Sequence, residues 1–150
     1  MDILEIMKER HSVRSYTDKP IETDKVAALN ELIKRINELS GLNIQLQTEE
    51  EKGFSGMMAK YGSFAGVKNY IVMAGADGKD REIGYYGEAV VLAAQALGLN
   101  TCWVGSFSKK RILARPGNKI VLVGSLIQDQ LTRGSNWPFA ASLAVILTIM

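Results

Sequence analysis

The sequence of 150 residues contains a single cysteine and a single histidine, and this scarcity excludes several kinds of site. Cys102 has no second cysteine with which to form a disulfide, which fits a reducing, cytoplasmic compartment. One histidine and one cysteine do not make the ligand set of a structural zinc site, so we expect no metal. We interpret Cys102 as a small buried residue of a strand rather than as a reactive thiol.

The chain also lacks a strong excess of charge and a long hydrophobic run. Its formal net charge of +2 is too small to favour nucleic acid or an anionic membrane as a partner. The apolar segment 139–150 is shorter than the about 18 residues that a membrane span needs, and residues 1–5 do not resemble a signal peptide. We therefore expect a single domain over residues 1–150, with no membrane and no nucleic-acid partner.

Motifs of hydrolytic and nucleotide chemistry are missing as well. The sequence has no Gly-x-Ser-x-Gly elbow, no Walker loop and no Rossmann glycine fingerprint. We therefore predict no catalytic side chain, and any demanding chemistry would have to come from a cofactor.

What the sequence does contain is a short basic segment after the first predicted helix. Residues 10–14 read Arg-His-Ser-Val-Arg, and an extended backbone would place Arg10, Ser12 and Arg14 on one face. Two guanidinium groups with a hydroxyl between them suit a phosphate, because charge-assisted hydrogen bonds are about twice as strong as neutral ones. The alternative is a solvated basic turn, and this segment alone does not decide between the two.

A second informative segment begins about seventy residues further along the chain. Residues 84–105 read Gly-Tyr-Tyr-Gly-Glu-Ala-Val-Val-Leu-Ala-Ala-Gln-Ala-Leu-Gly-Leu-Asn-Thr-Cys-Trp-Val-Gly. Together with Arg-His-Ser-Val-Arg-Ser-Tyr-Thr-Asp-Lys-Pro-Ile at 10–21, in this order and spacing, the segment resembles the FMN-dependent nitroreductase family, especially its short branch. The likeness is strong over 2–24 and 84–107, loose over 60–75 and 119–123, and it ends near residue 125.

The resemblance implies a fold, a cofactor and a reaction. The fold would be α+β, with a mixed sheet flanked by helices, and a homodimer would hold the flavin between its two subunits. The cofactor would be FMN, with NAD(P)H as the electron donor. In this family hydride passes to flavin N5 and then to a nitroaromatic, quinone or flavin acceptor. The alternative is a non-catalytic, flavin-binding or truncated remnant of the same fold.

The family's cofactor-binding positions fall on both segments. The resemblance places Arg10 and Ser12 at the FMN phosphate and Arg14 near the N1 and O2 edge of the ring. That edge gains negative charge on reduction, so a fixed cation there would favour reduced flavin. The predicted cofactor-binding residues are Arg10, His11, Ser12, Arg14, Trp103, Gly105 and Ser106.

Alternatives exist for the residues predicted at the flavin ring. Trp103 could be an ordinary core aromatic, and Gly105 could be the turn that ends a strand. If the resemblance holds, the backbone N–H of Gly105 or Ser106 faces N5, where a glycine allows close approach. A third contact loop is matched only loosely, at Lys60, Tyr61 and Ser63.

Hydrophobic periodicity and turn residues predict the elements that carry these segments. We predict a short helix capped by Asp2 with Ile3, Ile6 and Met7 on its apolar face. Thr23 should cap a second helix that ends at Ser40-Gly41, and a third helix should span 80–97 before Gly98. The predicted strands are 43–48, 69–75, 101–105 and 119–124, and 53–66 is predicted to be an irregular loop or a broken helix.

The sequence departs from the family pattern after Gly124. Family members continue with a glycine turn and a Lys/Arg segment that returns to the flavin phosphate. Here Asp129 and Arg133 are the only charged residues after Gly124, and 139–150 is almost wholly apolar. We therefore expect an atypical tail over about 125–150 that leaves the C-terminal part of the fold incomplete and promotes aggregation.

We predict that this tail is the product of a shifted reading frame or a truncated gene, because the similarity to the family and the density of charged residues fall at the same point. Reading the coding DNA beyond codon 124 in the other two frames should reveal the missing glycine turn and Lys/Arg segment. If neither frame contains them, the tail is an evolved feature with its own contacts.

Overall fold

The computed structural model describes residues 2–50, 64–76 and 78–104. These residues form an α+β arrangement, as predicted, whose elements in chain order are α1 (Ile3–Glu9), α2 (Thr23–Ser40), β1 (Gln45–Gln47), β2 (Tyr70–Val72) and α3 (Asp80–Ala96). Within these ranges, no helix combines the length and the apolar character needed to cross a membrane. The predicted strand 119–124, most of the predicted loop 53–66 and the tail lie outside the described residues.

Helix α1 is held by one buried side chain rather than by the predicted apolar face. Ile6 is buried, whereas Ile3 and Met7 are 49% and 53% exposed, so the prediction is right for one of the three residues. Asp2 occupies the N-cap position, but its side chain makes no capping hydrogen bond. The Asp2 carbonyl accepts from the backbone N–H groups of Glu5 and Ile6 instead, so the predicted side-chain cap is wrong.

The N-cap of helix α2 lies one residue before the predicted position. Glu22 is the N-cap and Thr23 is the first helical residue, so the prediction that Thr23 caps the helix is wrong. Hydrogen bonds from Lys19, from the Glu22 backbone and from Lys25 lower the pKa of Glu22 to about 2, so this carboxylate stays charged. The other end is as predicted, because Gly41 closes the helix with φ +70, a conformation that glycine adopts easily.

Strands β1 and β2 form an antiparallel pair in which Leu46 lies opposite Ile71. Both strands are shorter than predicted, but pairing continues past their ends: the Asn43 N–H donates to the Ala74 carbonyl over 2.8 Å. At the other end, the Tyr70 hydroxyl donates to Glu50. Burial, followed by that hydrogen bond, raises the pKa of Tyr70, so the hydroxyl keeps its proton.

Helix α3 matches its prediction closely and forms one side of the core. It ends at Ala96, and Gly98 reverses the chain with φ +74. Val90, Val91 and Ala94 are completely buried. The core joins them to apolar side chains of α2, of the strands and their flanks, of α3 itself and of the chain that follows it: Leu29, Ile33, Ile36, Leu42, Ile44, Ile71, Met73, Ile83, Leu99 and Trp103.

Asn37 ties α2 to the chain that enters β1. Its side-chain amide donates to the Ile44 carbonyl over 2.9 Å and accepts from the Ile44 N–H over 2.8 Å. Ile44 is 1% exposed, so water cannot easily replace the amide. This side chain therefore satisfies both backbone groups of a core residue.

We expect Asn37→Ala to lower the free energy of unfolding by about 2–4 kcal/mol, because it leaves two buried backbone groups unpaired. Asn30→Ala on the exposed face of α2 is the matched control, since it makes the same change in helix propensity. Urea unfolding of the two variants measures the difference. Equal stabilities would contradict a structural role for the Asn37 amide.

Candidate functional site

The basic segment lies beside the chain that follows α3. Ser12 pairs in parallel with Thr101, and the Val13 N–H donates to the Thr101 carbonyl over 3.2 Å. This pairing brings together the two segments that the sequence predicted to share a site. They are far apart in the chain, so only tertiary structure unites them.

The opposite edge of the basic segment pairs with the chain around Ala65. The Ala65 N–H donates to the Arg14 carbonyl and the Tyr16 N–H donates to the Ala65 carbonyl, each over 3.0 Å. Gly66 follows with φ +72, and a Cβ there would lie 2.5 Å from the Tyr16 carbonyl oxygen. Residues 12–16 are therefore the middle of three adjacent segments, and their backbone position is fixed on both sides.

Arg10 lies where α1 ends and the extended segment begins, with φ −62 and ψ 123. Its side chain is only 18% exposed, and its Nε lies 3.9 Å from Oε1 of Glu88 on α3. Arg10 Nη1 is buried and has no hydrogen-bond partner in the described part of the chain. Such a donor is costly to leave unpaired, so a bound anion would satisfy it.

The remaining predicted residues of the basic segment are exposed and have different neighbours. His11 Nδ1 lies 2.9 Å from the Glu9 carbonyl, which holds the ring against the end of α1. Ser12 is exposed beside its pairing with Thr101. The Arg14 guanidinium lies 5.9 Å from the centre of the Phe64 ring, within the range of a cation–π contact. Arg10 therefore contacts α3, whereas Arg14 contacts the segment around Ala65.

Trp103 is 7% exposed and packs directly on α3. Its indole Nε1 donates to Oε2 of Glu88 over 3.0 Å. The ring lies against Gly87, where an added Cβ would be only 2.7 Å from Trp103 Cη2. Trp103 is thus a core aromatic whose hydrogen-bond partner, Glu88, also lies close to Arg10. The other two residues predicted at the flavin ring, Gly105 and Ser106, lie outside the described residues.

The chain around Trp103 also contains buried polar atoms. Thr101, Cys102 and Trp103 are all buried, and within the described residues their pairing takes the form of isolated bridges; residue 105 of the predicted strand 101–105 lies outside these residues. Cys102 is completely buried, which agrees with its interpretation as a small core residue. The Thr101 hydroxyl is buried without a partner in the described residues. Across the same ranges, no group of His, Cys, Asp and Glu side chains is arranged to hold a metal ion.

Sequence reasoning missed Glu88, which touches both Arg10 and Trp103. No spacing rule could have found it, because both contacts depend on how α3 packs against segments from both ends of the described chain. Gly87 carried a usable signal: glycine inside a helix costs about 1 kcal/mol relative to alanine, so it indicates a close neighbour. Lys60, Tyr61 and Ser63 of the predicted third loop lie outside the described residues.

A protein-family model described as "Putative TM nitroreductase" matches residues 2–126 of this chain. The match includes the basic segment, α3 and Trp103, and it ends close to Gly124. No curated protein sequence matches the chain significantly.

Solved nitroreductase structures share the fold. A nitroreductase family protein from Clostridium novyi NT is 20% identical with a TM-score of 0.60, covering 81% of this chain and 82% of that one. A Clostridium difficile nitroreductase family protein is 20% identical with a TM-score of 0.56, covering 75% and 73%. An FMN-dependent nitroreductase from Clostridium difficile is 17% identical with a TM-score of 0.55, covering 97% and 83%.

We expect Gly87→Ala and Gly84→Ala to change stability in opposite directions, although both replace a glycine of α3. The Gly87 methyl group would collide with the Trp103 ring and lower the free energy of unfolding by about 1–3 kcal/mol. Gly84 has no atom within 4 Å of the new Cβ, so alanine there should add about 0.5–1 kcal/mol. Urea unfolding checks both values, and a stabilised Gly87→Ala protein would refute the packing described here.

Proposed function

The chain belongs to the nitroreductase family, and from this premise we propose that it binds FMN and passes electrons from NAD(P)H to a small acceptor. The family supports an oxidoreductase, and one structural neighbour is an FMN-dependent nitroreductase. The observation that carries the proposal for this chain is Arg10 Nη1, a buried donor without a partner in the described residues. It lies in the segment that pairs with Thr101, two residues before Trp103.

The residues of the site fit an FMN molecule in both its parts. Arg10 and Ser12 supply a cation and a hydroxyl for the terminal phosphate; Arg10 is held at the end of α1 by its N–H bond to the Ile6 carbonyl, and Ser12 by its pairing with Thr101. His11 lies between them and is already bonded to Glu9, so we propose a supporting role at the same site. The phosphate would thus meet a prepared anion-binding segment.

For the ring of the flavin, the chain offers a positive charge and an apolar surface. Arg14 is an exposed cation whose position is restrained by Phe64, and we propose that it stabilises negative charge at the N1 and O2 edge. Trp103 is proposed to line the ring site, together with Gly105 and Ser106 from the family resemblance. A bound flavin supplies the hydride-accepting chemistry, and the protein supplies binding, orientation and electrostatics.

This division of labour explains why the chain needs no acid–base side chain. The described site contains an arginine–carboxylate pair, a hydroxyl, a histidine bonded to the Glu9 carbonyl, a second arginine and aromatic rings, and we propose that none of them acts as a general acid or base. Solvent can supply protons to the acceptor. We propose a nitroaromatic, a quinone or another flavin as that acceptor, and a cytoplasmic location for the protein.

We also propose that two chains associate as a homodimer. The support is apolar surface on separate helices: Leu4 and Met7 of α1 and Leu39 of α2 are 60%, 53% and 79% exposed. A partner subunit is also what the family resemblance implies, since that family holds its flavin between two subunits. Light scattering that returned a flavin-loaded species of 16.5 kDa, the mass of a single chain, would contradict the dimer.

The test of the proposed function is anaerobic mixing of the FMN-loaded protein with excess NADH or NADPH. We expect the visible flavin absorbance to bleach and then to return when a nitroaromatic or quinone is added. Steady-state rates should give the parallel lines of a ping-pong mechanism, because the donor leaves before the acceptor binds. If FMN binds but its absorbance does not bleach with either nucleotide, the chain is a flavin-binding remnant rather than an enzyme.

A further inference from the structure

Glu88 makes two different contacts with the two halves of the proposed flavin site. Its Oε2 accepts the indole hydrogen bond of Trp103 over 3.0 Å, and its Oε1 faces Arg10 Nε at 3.9 Å. One oxygen therefore serves the aromatic side of the site and the other serves the anion-binding side. We propose that Glu88 is a positioning residue that fixes the Trp103 indole and, through Arg10, limits the affinity of the site for a phosphate group.

The contact with Trp103 is a restraint on geometry. Its length is typical of an N–H···O hydrogen bond, and a charged acceptor makes such a bond stronger than a neutral one. Gly87, the residue before Glu88, lets the ring lie directly against the helix. The ring is therefore held by packing at one edge and by a hydrogen bond at its nitrogen, so removal of the acceptor should loosen it.

The contact with Arg10 acts through charge rather than through geometry. At 3.9 Å it is longer than a hydrogen bond, so it restrains the direction of the guanidinium only weakly. Arg10 Nη1 has no hydrogen-bond partner in the described residues, so Arg10 keeps a donor for a phosphate even beside Glu88. A carboxylate this close still repels any phosphate that binds to the same guanidinium. Loss of the charge should therefore strengthen phosphate binding more than loss of the weak restraint weakens it.

Two substitutions separate these two effects. Glu88→Gln keeps an oxygen that can accept the indole hydrogen bond but removes the charge beside Arg10. Glu88→Ala removes both. Glu82→Gln is the matched control, because Glu82 lies on the same helix and carries the same charge but pairs with Lys79. All variants are made with Trp137→Phe, which leaves Trp103 as the single tryptophan.

The first measurement needs no ligand: fluorescence emission of Trp103 and its quenching by acrylamide. We expect Glu88→Gln to match the parent and Glu88→Ala to show a shifted emission maximum and greater quenching. Rescue by Gln distinguishes the hydrogen bond from a general effect of substitution on the helix. Identical spectra for the parent and Glu88→Ala would overturn the positioning of Trp103.

The second measurement compares the affinities of FMN and riboflavin, and it rests on the proposed function. We expect Glu88→Gln to bind FMN about tenfold more tightly than the parent, while riboflavin, which has no phosphate, is unchanged. Glu82→Gln should alter neither affinity. A gain shared by riboflavin, or no gain over Glu82→Gln, would overturn the effect on the phosphate. If the parent binds no FMN, the proposed function fails, and the fluorescence result alone then decides the role of Glu88.

Discussion

The candidate site depends on one stretch of backbone pairing, in which residues 12–16 lie between Thr101 and Ala65. Val13 is hydrogen-bonded to Thr101, and Arg14 and Tyr16 are hydrogen-bonded to Ala65. These few bonds connect segments that are distant in the chain, so their cost in chain entropy has to be offset by the core. Without the pairing, Arg10 and Trp103 would have no reason to lie near the same carboxylate.

Helix α3 provides the residues that connect the paired segments into one site. Its completely buried residues, including Val90 and Val91, anchor it in the core, so neighbouring positions on the helix have little freedom. Gly87 accepts the Trp103 ring and Glu88 links that ring to Arg10. A rigid helix therefore organises two groups that come from segments distant from each other in the chain.

The features that sequence predicted well are those determined locally. The ends of α2 and α3 were predicted from Gly41 and Gly98, because both glycines adopt a backbone conformation that other residues avoid. The prediction that Thr23 caps α2 failed: Glu22 occupies the N-cap position, and its carboxylate pairs with Lys19 and Lys25. The strands proved shorter than predicted, since beyond Gln45–Gln47 and Tyr70–Val72 the pairing continues as single hydrogen bonds, such as that from Asn43 to Ala74, which an alternating pattern does not distinguish from a strand.

The site itself was only partly predictable. The basic segment and Trp103 were found from their residue types and from a family resemblance, and their proximity followed from the fold. Glu88 escaped prediction because its importance comes from two tertiary contacts rather than from spacing. The positions of Gly105 and Ser106 stay predictions from the resemblance, and the family match and the resemblance both end near Gly124.

The central claim is that Arg10 gives this chain a prepared site for the phosphate of FMN, and titration of Arg10→Ala with FMN tests it most directly. A hydrogen bond to a charged group contributes about 1.5–3 kcal/mol, so the affinity should fall roughly tenfold to a hundredfold. Arg35→Ala is the control, because that exposed arginine pairs with Glu31 on α2 and should leave the affinity unchanged. Equal FMN affinities for Arg10→Ala and Arg35→Ala would contradict the account.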